Sequence, residues 1–390
     1  MVPAPRFEGG NAHNGAMAAA TPKILAGIDA HVVGRRQTGN ETYVVNLANA
    51  LARRADVEPL AYLDAGSAWP GSGGPKTREL SWRSSFLRIP FELPARARRD
   101  GCDLLHVQYV VPPVTRLPIV TMIHDVSFED IPGLFPRRTE LRLKLTVRYA
   151  VRVSSALVTV SEFTRGRIVC HYGVDPERVI VTPNGVGDRW HPVPRDEALA
   201  GLADLSLPPS FVLAVGNLHP RKNIPRLVRA IAAARRAGAG DLHLALAGQP
   251  WWRTGEIDRA IEQAAAGDWV HFLGYVDDAT LLALYSCANM VAYPSLYEGF
   301  GLPVLEALAC GAVVVASNAT SIPEIAGDAA ILFDPEDEAA MADAIATAVT
   351  DEPTRARLRR AAPLQTARFT WDRCAELTAS AYRAALARHS

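Results

Sequence analysis

Two glutamates, Glu298 and Glu306, stand eight positions apart around the turn Gly299-Phe300-Gly301-Leu302-Pro303, and the run closes on Cys310-Gly311 before the apolar stretch Ala312–Ala316. Proline suits the first turn of a helix and glycine its end, so a helix is expected to open at this turn and stop at Gly311. A helix start carries unsatisfied backbone N–H groups and a partial positive charge, and glycines let a phosphate approach closely. Glu298 falls in the turn, able to point across a cleft; Glu306 falls about one turn into the helix, able to accept hydroxyl hydrogen bonds. Donors for a diphosphate, flanked by acceptors for hydroxyls, suit a sugar nucleotide. The competing reading is a surface glutamate beside a loop and a second one on a solvated helix face.

Other segments place polar groups where strands end. Gly216-Asn217-Leu218-His219-Pro220-Arg221-Lys222 follows the apolar Phe211–Val215. Two adjacent cations there suit a diphosphate, with Arg221 as a fork and Lys222 as a mobile point charge. Their task would be to neutralise charge growing on a leaving phosphate. His124-Asp125 follows Ile119–Ile123, and Gly274-Tyr275-Val276 follows Val270–Leu273. In the loop Gly34–Glu41, Gly39 allows close backbone approach to a diphosphate, and Arg35 and Arg36 could meet anionic groups. Each segment also has a plain structural reading: a satisfied histidine, a core tyrosine, a surface turn.

The Glu-x7-Glu frame, the Gly-x4-Arg-Lys element and Ser321-Ile322-Pro323-Glu324-Ile325-Ala326-Gly327-Asp328 together resemble the retaining glycosyltransferases of family 4, which have the GT-B fold. The resemblance spans roughly residues 23–388 and is strongest over 211–335. It implies that His124, Arg221, Lys222 and Glu298 serve catalysis, with the His124 ring and Glu298 on the donor sugar. It implies that Glu306 holds the ribose, that Tyr275 and Val276 hold the base through backbone groups, and that Gly39, Gly216, Gly299, Phe300, Gly301 and Leu302 border the donor. Ser161–Thr164 and Thr182–Val186 match family segments too and are read as scaffold near the cleft. The Gly34–Glu41 loop departs from the Gly-Gly form of many relatives. The runs Val120–Glu129 and Ser321–Pro335 most resemble bacterial mannosyltransferases. The resemblance therefore points to transfer of a hexose, mannose from GDP-mannose, to a hydroxyl of a glycan or glycolipid, such as a cell-envelope polysaccharide. A UDP-glucose donor and a GT-B-like sugar-nucleotide epimerase are the alternatives. A glycoside hydrolase would share the two carboxylates but has no use for the cation pair.

The elements needed to position these groups are those of an α/β chain. Two series of short apolar strands alternate with helical patterns, as in parallel sheets covered on both faces. The first series comprises Lys23–Asp29, Leu104–Val107, Ile119–Ile123, Ala156–Val160 and Val179–Val181; the second comprises Phe211–Gly216, Leu242–Ala247, Val270–Leu273, Met290–Tyr293, Ala312–Ala316 and Ala330–Phe333. Expected boundaries are a disordered tail 1–22, a Rossmann-like domain 23–192, a proline-rich hinge, a second such domain 205–368 and a terminal helix 369–390; the family resemblance implies that the first domain binds the acceptor, the second the nucleotide sugar, and that the terminal helix crosses back to the first.

Composition agrees with two domains rather than one, in a chain of 390 residues of which 49% are hydrophobic. Five scattered cysteines lack metal-ligand spacing, and Asp277-Asp278 is not a metal-binding Asp-x-Asp, so neither a metal nor a bound cofactor is expected beyond the nucleotide-sugar co-substrate. Gly74-Pro75-Lys76-Thr77 is no phosphate loop, since proline replaces a required glycine. The tail lacks the apolar stretch of a signal peptide, and a cytoplasmic setting is expected. Net charge is zero, yet residues 1–190 hold 24 Lys and Arg against 18 Asp and Glu. Two basic amphipathic segments, Trp82–Arg99 and Leu134–Val153, read either as a peripheral membrane footprint for a lipid-linked acceptor or as solvated helices with core residues. No nucleic-acid partner is expected.

Overall fold

The computed structural model describes residues 23–35, 38–82, 84, 87–113, 115–250 and 255–389. The expected tail, together with Arg36, Arg83 and Phe86, lies outside the described residues.

Thirteen strands form two parallel sheets. The first is seven-stranded, in the order β3-β2-β1-β4-β5-β6-β7. Its strands are β1 (Ile24–Asp29), β2 (Val57–Asp64), β3 (Lys76–Leu80), β4 (Leu104–Gln108), β5 (Ile119–Ile123), β6 (Ala156–Thr159) and β7 (Val179–Val181). The second is six-stranded, in the order β10-β9-β8-β11-β12-β13. It comprises β8 (Phe211–Val215), β9 (His243–Ala247), β10 (Val270–Gly274), β11 (Met290–Tyr293), β12 (Val314–Ser317) and β13 (Ala330–Phe333). Helices cover both faces, so central strands such as β4 and β5 are buried along their whole length and read as unbroken apolar runs.

Two strands were not among those expected. β3 is Lys-Thr-Arg-Glu-Leu, exposed except at Leu80; an edge strand needs no apolar run and is protected by charge. β2 is interrupted in pattern by Glu58 and Pro59, though most of its residues are buried. The proline-rich hinge, expected only as a boundary, has structure of its own. It folds a helix, Arg195–Ala200, and is tied to the second sheet's layer where Val193 N donates to Ser286 Oγ at 3.3 Å and Arg195 Nη1 to the Cys287 carbonyl at 2.7 Å.

The last helix, Trp371–His389, returns to the first domain. Its Tyr382 hydroxyl lies 2.8 Å from His106 Nδ1, and Arg383 pairs with Asp56 at 2.8 Å. A side chain at Gly185 would lie 2.1 Å from Trp371 N, so glycine permits this crossing. One buried apolar cluster runs from the helix Thr38–Ala52 through Tyr382 and Trp371 to Phe300, joining the two sheets.

Strand order reverses between β1 and β4 in one sheet and between β8 and β11 in the other. Open α/β sheets bind ligands at the carboxyl ends of strands beside such reversals. Asp29 and Gln108 end β1 and β4, and His124 follows β5; Gly216–Lys222 and Pro294–Glu298 follow β8 and β11.

Candidate active site

The loop after β8 becomes one turn, Pro220–Lys222, and then the helix Ile224–Arg236. Gly216 has φ +126°, and a side chain there would meet Lys222 Cε at 3.0 Å. The glycine makes room for the Lys222 stem, which carries its ammonium to Glu298 Oε1 at 2.7 Å and the Tyr293 hydroxyl at 2.6 Å. Glu298 is 5% exposed. Burial alone would raise its pKa, but Lys222 and then Arg221 hold it down at about 2. Burial pushes the Lys222 ammonium the other way, below its ordinary value, against the pull of Glu298. Arg221 reaches across to Asp125 of the first domain, Nη1 to Oδ2, at 3.4 Å. Two cations and two carboxylates thus meet between the sheets.

The glycine turn is shaped by the opposite domain. A side chain at Gly299 would come within 2.0 Å of the His124 carbonyl oxygen. Ser161 Oγ donates to the Gly299 carbonyl at 2.7 Å, while also capping the helix Glu162–Tyr172 by accepting from Thr164 N. Glu324 accepts from the first two amides of that same helix, Glu162 N at 3.0 Å and Phe163 N at 2.7 Å. The Tyr297 hydroxyl donates to Asp130 at 2.7 Å, and Asp130 also binds Arg167 and His171. Glu324, Asp130 and Gln108 had no role assigned from the sequence. Ser161 and Thr164 stand at capping spacing and Glu324 lies in the family-like run Ser321–Asp328, but neither signal reveals the contact across the cleft.

Gly301 takes φ +106° and precedes the helix Leu302–Ala309, placing Pro303 one residue inside the expected first position. Within that helix Glu306 is 8% exposed and accepts from the Tyr285 hydroxyl at 3.1 Å. Burial pushes its carboxyl up to about 7, the Tyr285 bond opposing. Phe300 is buried beside Phe369, ring centroids 5.8 Å apart. Tyr275 is exposed at 44% rather than a core residue, with Val276 partly buried beside it at the end of β10.

His124 sits edge-on to Tyr43, centroids 4.8 Å apart, with Nε2 2.7 Å from Gln108 Oε1. Burial lowers its pKa to about 4, although Asp125 opposes, so the ring is neutral near pH 7 and offers hydrogen bonds rather than charge. In the Gly34–Glu41 loop, Arg35 forms an ion pair with Asp64. Gly39 lies exposed in the first turn of the helix Thr38–Ala52 with nothing near its missing side chain, whereas the positive φ of +81° belongs to Gly34. Among the described residues no group of three or more His, Cys, Asp or Glu side chains could hold a metal ion.

Comparison with known proteins agrees with this geometry. The model of the family described as Glycosyltransferase Family 4 matches residues 38–189, and that of Glycosyl transferases group 1 matches residues 204–365. The chain is 32% identical to O-antigen chain mannosyltransferase B of Escherichia coli, over 68% of this chain and 70% of that protein. It is 31% identical to the Escherichia coli serotype-specific mannosyltransferase WbdA over 57% of this chain, but spans only 28% of that longer protein. Among solved structures, sucrose-phosphate synthase of Thermosynechococcus elongatus superposes with a TM-score of 0.74 at 21% identity, covering 93% of this chain and 98% of that one. Anabaena HepE, in complex with UDP and glucose, superposes with a TM-score of 0.72 at 20% identity, covering 93% and 99%. With two facing Rossmann-like domains and a relative matched over most of its length, the chain belongs to glycosyltransferase family 4 and is a glycosyltransferase of GT-B fold.

Proposed function

We propose that this glycosyltransferase moves mannose from GDP-mannose to a hydroxyl of a glycan or glycolipid, with retention at the anomeric carbon and without a metal ion. The observation that carries the reading is the buried Lys222–Glu298 pair beside Arg221, set in the cleft and backed by the start of the helix Leu302–Ala309. Arg221, Lys222 and the backbone amides of that turn would neutralise the charge that grows on the departing diphosphate. Glu298 would hold the sugar ring, neutral His124 would hydrogen-bond it, and Glu306 would accept from the ribose hydroxyls. Tyr275 and Val276 would border the base. Attack from the face the phosphate leaves, with that phosphate taking the acceptor proton, gives retention with no protein base at the anomeric carbon. The close approach of Gly299 to the His124 carbonyl brings the two domains together here, and such closure over a bound donor would exclude water from the reaction.

Mannose is supported by the names of the two Escherichia coli relatives. A UDP-sugar is the competing donor, because the HepE structure holds UDP and glucose. A lipid-linked acceptor is supported by the helix Arg137–Val153: Leu141, Leu145, Tyr149 and Val153 are exposed at intervals of four, beside Arg138, Arg142 and Arg152. Such a face lies down on an anionic membrane surface, and would place the enzyme peripherally at the cytoplasmic leaflet. No helix among the described residues is long and apolar enough to cross a membrane.

A thermal-shift panel of GDP, UDP and ADP sugars tests the donor. A ligand at about 100 times its dissociation constant adds about 2.7 kcal/mol of stability, and GDP-mannose should give the largest shift. A larger shift with UDP-glucose would replace mannose in the reading. Transfer should continue in EDTA; loss on chelation with rescue by magnesium or manganese would overturn the metal-free mechanism.

A further inference from the structure

A second buried polar cluster lies at the carboxyl ends of β1 and β2, away from the diphosphate cations. Asp29, the last residue of β1, is 2% exposed and pairs through Oδ1 with His31 Nδ1 at 2.8 Å. Arg88, in a short π-helical segment Arg88–Glu92, is also 2% exposed. Its Nη1 forms an ion pair with Asp64, the last residue of β2, and Arg35 pairs with the other oxygen of Asp64. Among the described residues four polar atoms of this cluster have no hydrogen-bond partner: Asp29 Oδ2, Arg88 Nε, Arg88 Nη2 and Asp64 Oδ1, the last met only by the Arg88 ion pair.

Those atoms define the chemistry of what would satisfy them. Arg88 Nε and Nη2 form one edge of the guanidinium, two parallel N–H donors that want lone pairs. Asp29 Oδ2 wants a donor. Buried groups of this kind are normally paired, and a buried arginine especially so. An anion would satisfy Arg88 but face the carboxylates of Asp29 and Asp64, and a cation would be repelled by Arg88 and Arg35. A hydroxyl both donates and accepts, and two neighbouring sugar hydroxyls answer the carboxylate and the guanidinium edge together.

We propose that Asp29 and Arg88 form a subsite for the hydroxyls of a neutral sugar unit of the acceptor, entered past His31, whose side chain is 20% exposed. The identification of that sugar as acceptor rests on the glycosyltransfer reading. The cluster stands beside β4, at the β1–β4 reversal of strand order, and in the same domain as His124. Arg88 serves as a positioning group, since it holds the sugar rather than the reacting bond.

The test is a binding titration of methyl α-mannoside, followed by saturation-transfer NMR, on the full chain and on the variants Asp29→Asn and Arg88→Lys. Both changes preserve size or charge while removing the carboxylate or the planar fork. Binding to the parent protein, weakened at least tenfold in both variants with GDP affinity unchanged, supports the subsite. No binding to the parent, equal binding in the variants, or competition by inorganic phosphate that depends on Arg88 overturns it. The last outcome would make the cluster an anion site. Because the titration uses no donor, it is decided separately from the GDP-mannose assay; a chain that fails that assay yet binds the mannoside through Asp29 leaves the subsite standing.

Discussion

Glu306 should make stability depend on pH, and nucleotide affinity as well if it holds the ribose as proposed. Its carboxyl is pushed from an ordinary 4.5 to about 7, chiefly by burial, with the Tyr285 hydroxyl donating to it. A carboxyl whose folded pKa is raised holds a proton that the unfolded chain has already released. Between pH 4.5 and about 7 the folded form therefore binds more protons, and stability falls as pH rises through this window. Below the window both states are protonated and Glu306 contributes nothing; above it, ionising the buried group costs about 3 kcal/mol. Glu306→Gln keeps the size and removes the titration. Its stability relative to the parent should be level near pH 4 and rise by up to about 3 kcal/mol by pH 8. Urea unfolding across that range measures the difference directly. If the ribose hydroxyls donate to the ionised carboxylate, GDP affinity should fall up to about tenfold per pH unit below pH 7 in the parent. The Gln variant should bind weakly and without that added slope. A stability difference flat with pH would refute the burial argument. A parent and a variant with the same pH slope for GDP would refute the ribose contact.

Lys222→Ala leaves the buried Glu298 carboxylate without its hydrogen-bonded cation and with only Arg221 to offset it, and should destabilise the fold by up to about 3–5 kcal/mol, in addition to lowering turnover by orders of magnitude. Adding Glu298→Gln should restore part of the stability but none of the turnover, and no recovery in urea unfolding would contradict the pairing. Gly299→Ala places a carbon about 2.0 Å from the His124 carbonyl oxygen, forcing the domains apart; turnover should drop about 100-fold while GDP binding persists, and normal single-turnover rates would show that the contact is dispensable. The double change Leu141→Glu and Leu145→Glu should abolish sedimentation with vesicles containing anionic lipid while leaving the far-ultraviolet spectrum intact. Unaltered sedimentation would remove this face from the membrane reading.

Local signals made much of this chain readable. The alternation of apolar runs and helices announces covered parallel sheets, because a strand buried on both faces must be apolar at every position. The turn Gly299–Pro303 and the loop Gly216–Lys222 are short-range statements about backbone and charge, and the family resemblance rests on them. β3 is not legible because an exposed edge strand has no apolar period, and the helix Arg195–Ala200 of the hinge leaves only a weak pattern because contacts to Ser286 and Cys287 hold it in place. The Asp64 partner of Arg35 is likewise a contact that the sequence does not announce.

What the sequence alone determined, then, was the set of groups that chemistry requires and the two-domain frame that carries them. Their partners were decided by tertiary structure. Lys222 and Glu298 are separated by 76 positions and Ser161 and Gly299 by 138, and no periodicity within a strand or helix relates residues so far apart. The same distance hides the reason Gly299 must be glycine: the obstacle is a carbonyl of the other domain. Burial is likewise collective, set by every element packed around a group. It keeps His124 neutral, holds Lys222 against Glu298 and lifts Glu306 toward neutral pH, and none of these follows from the residue names.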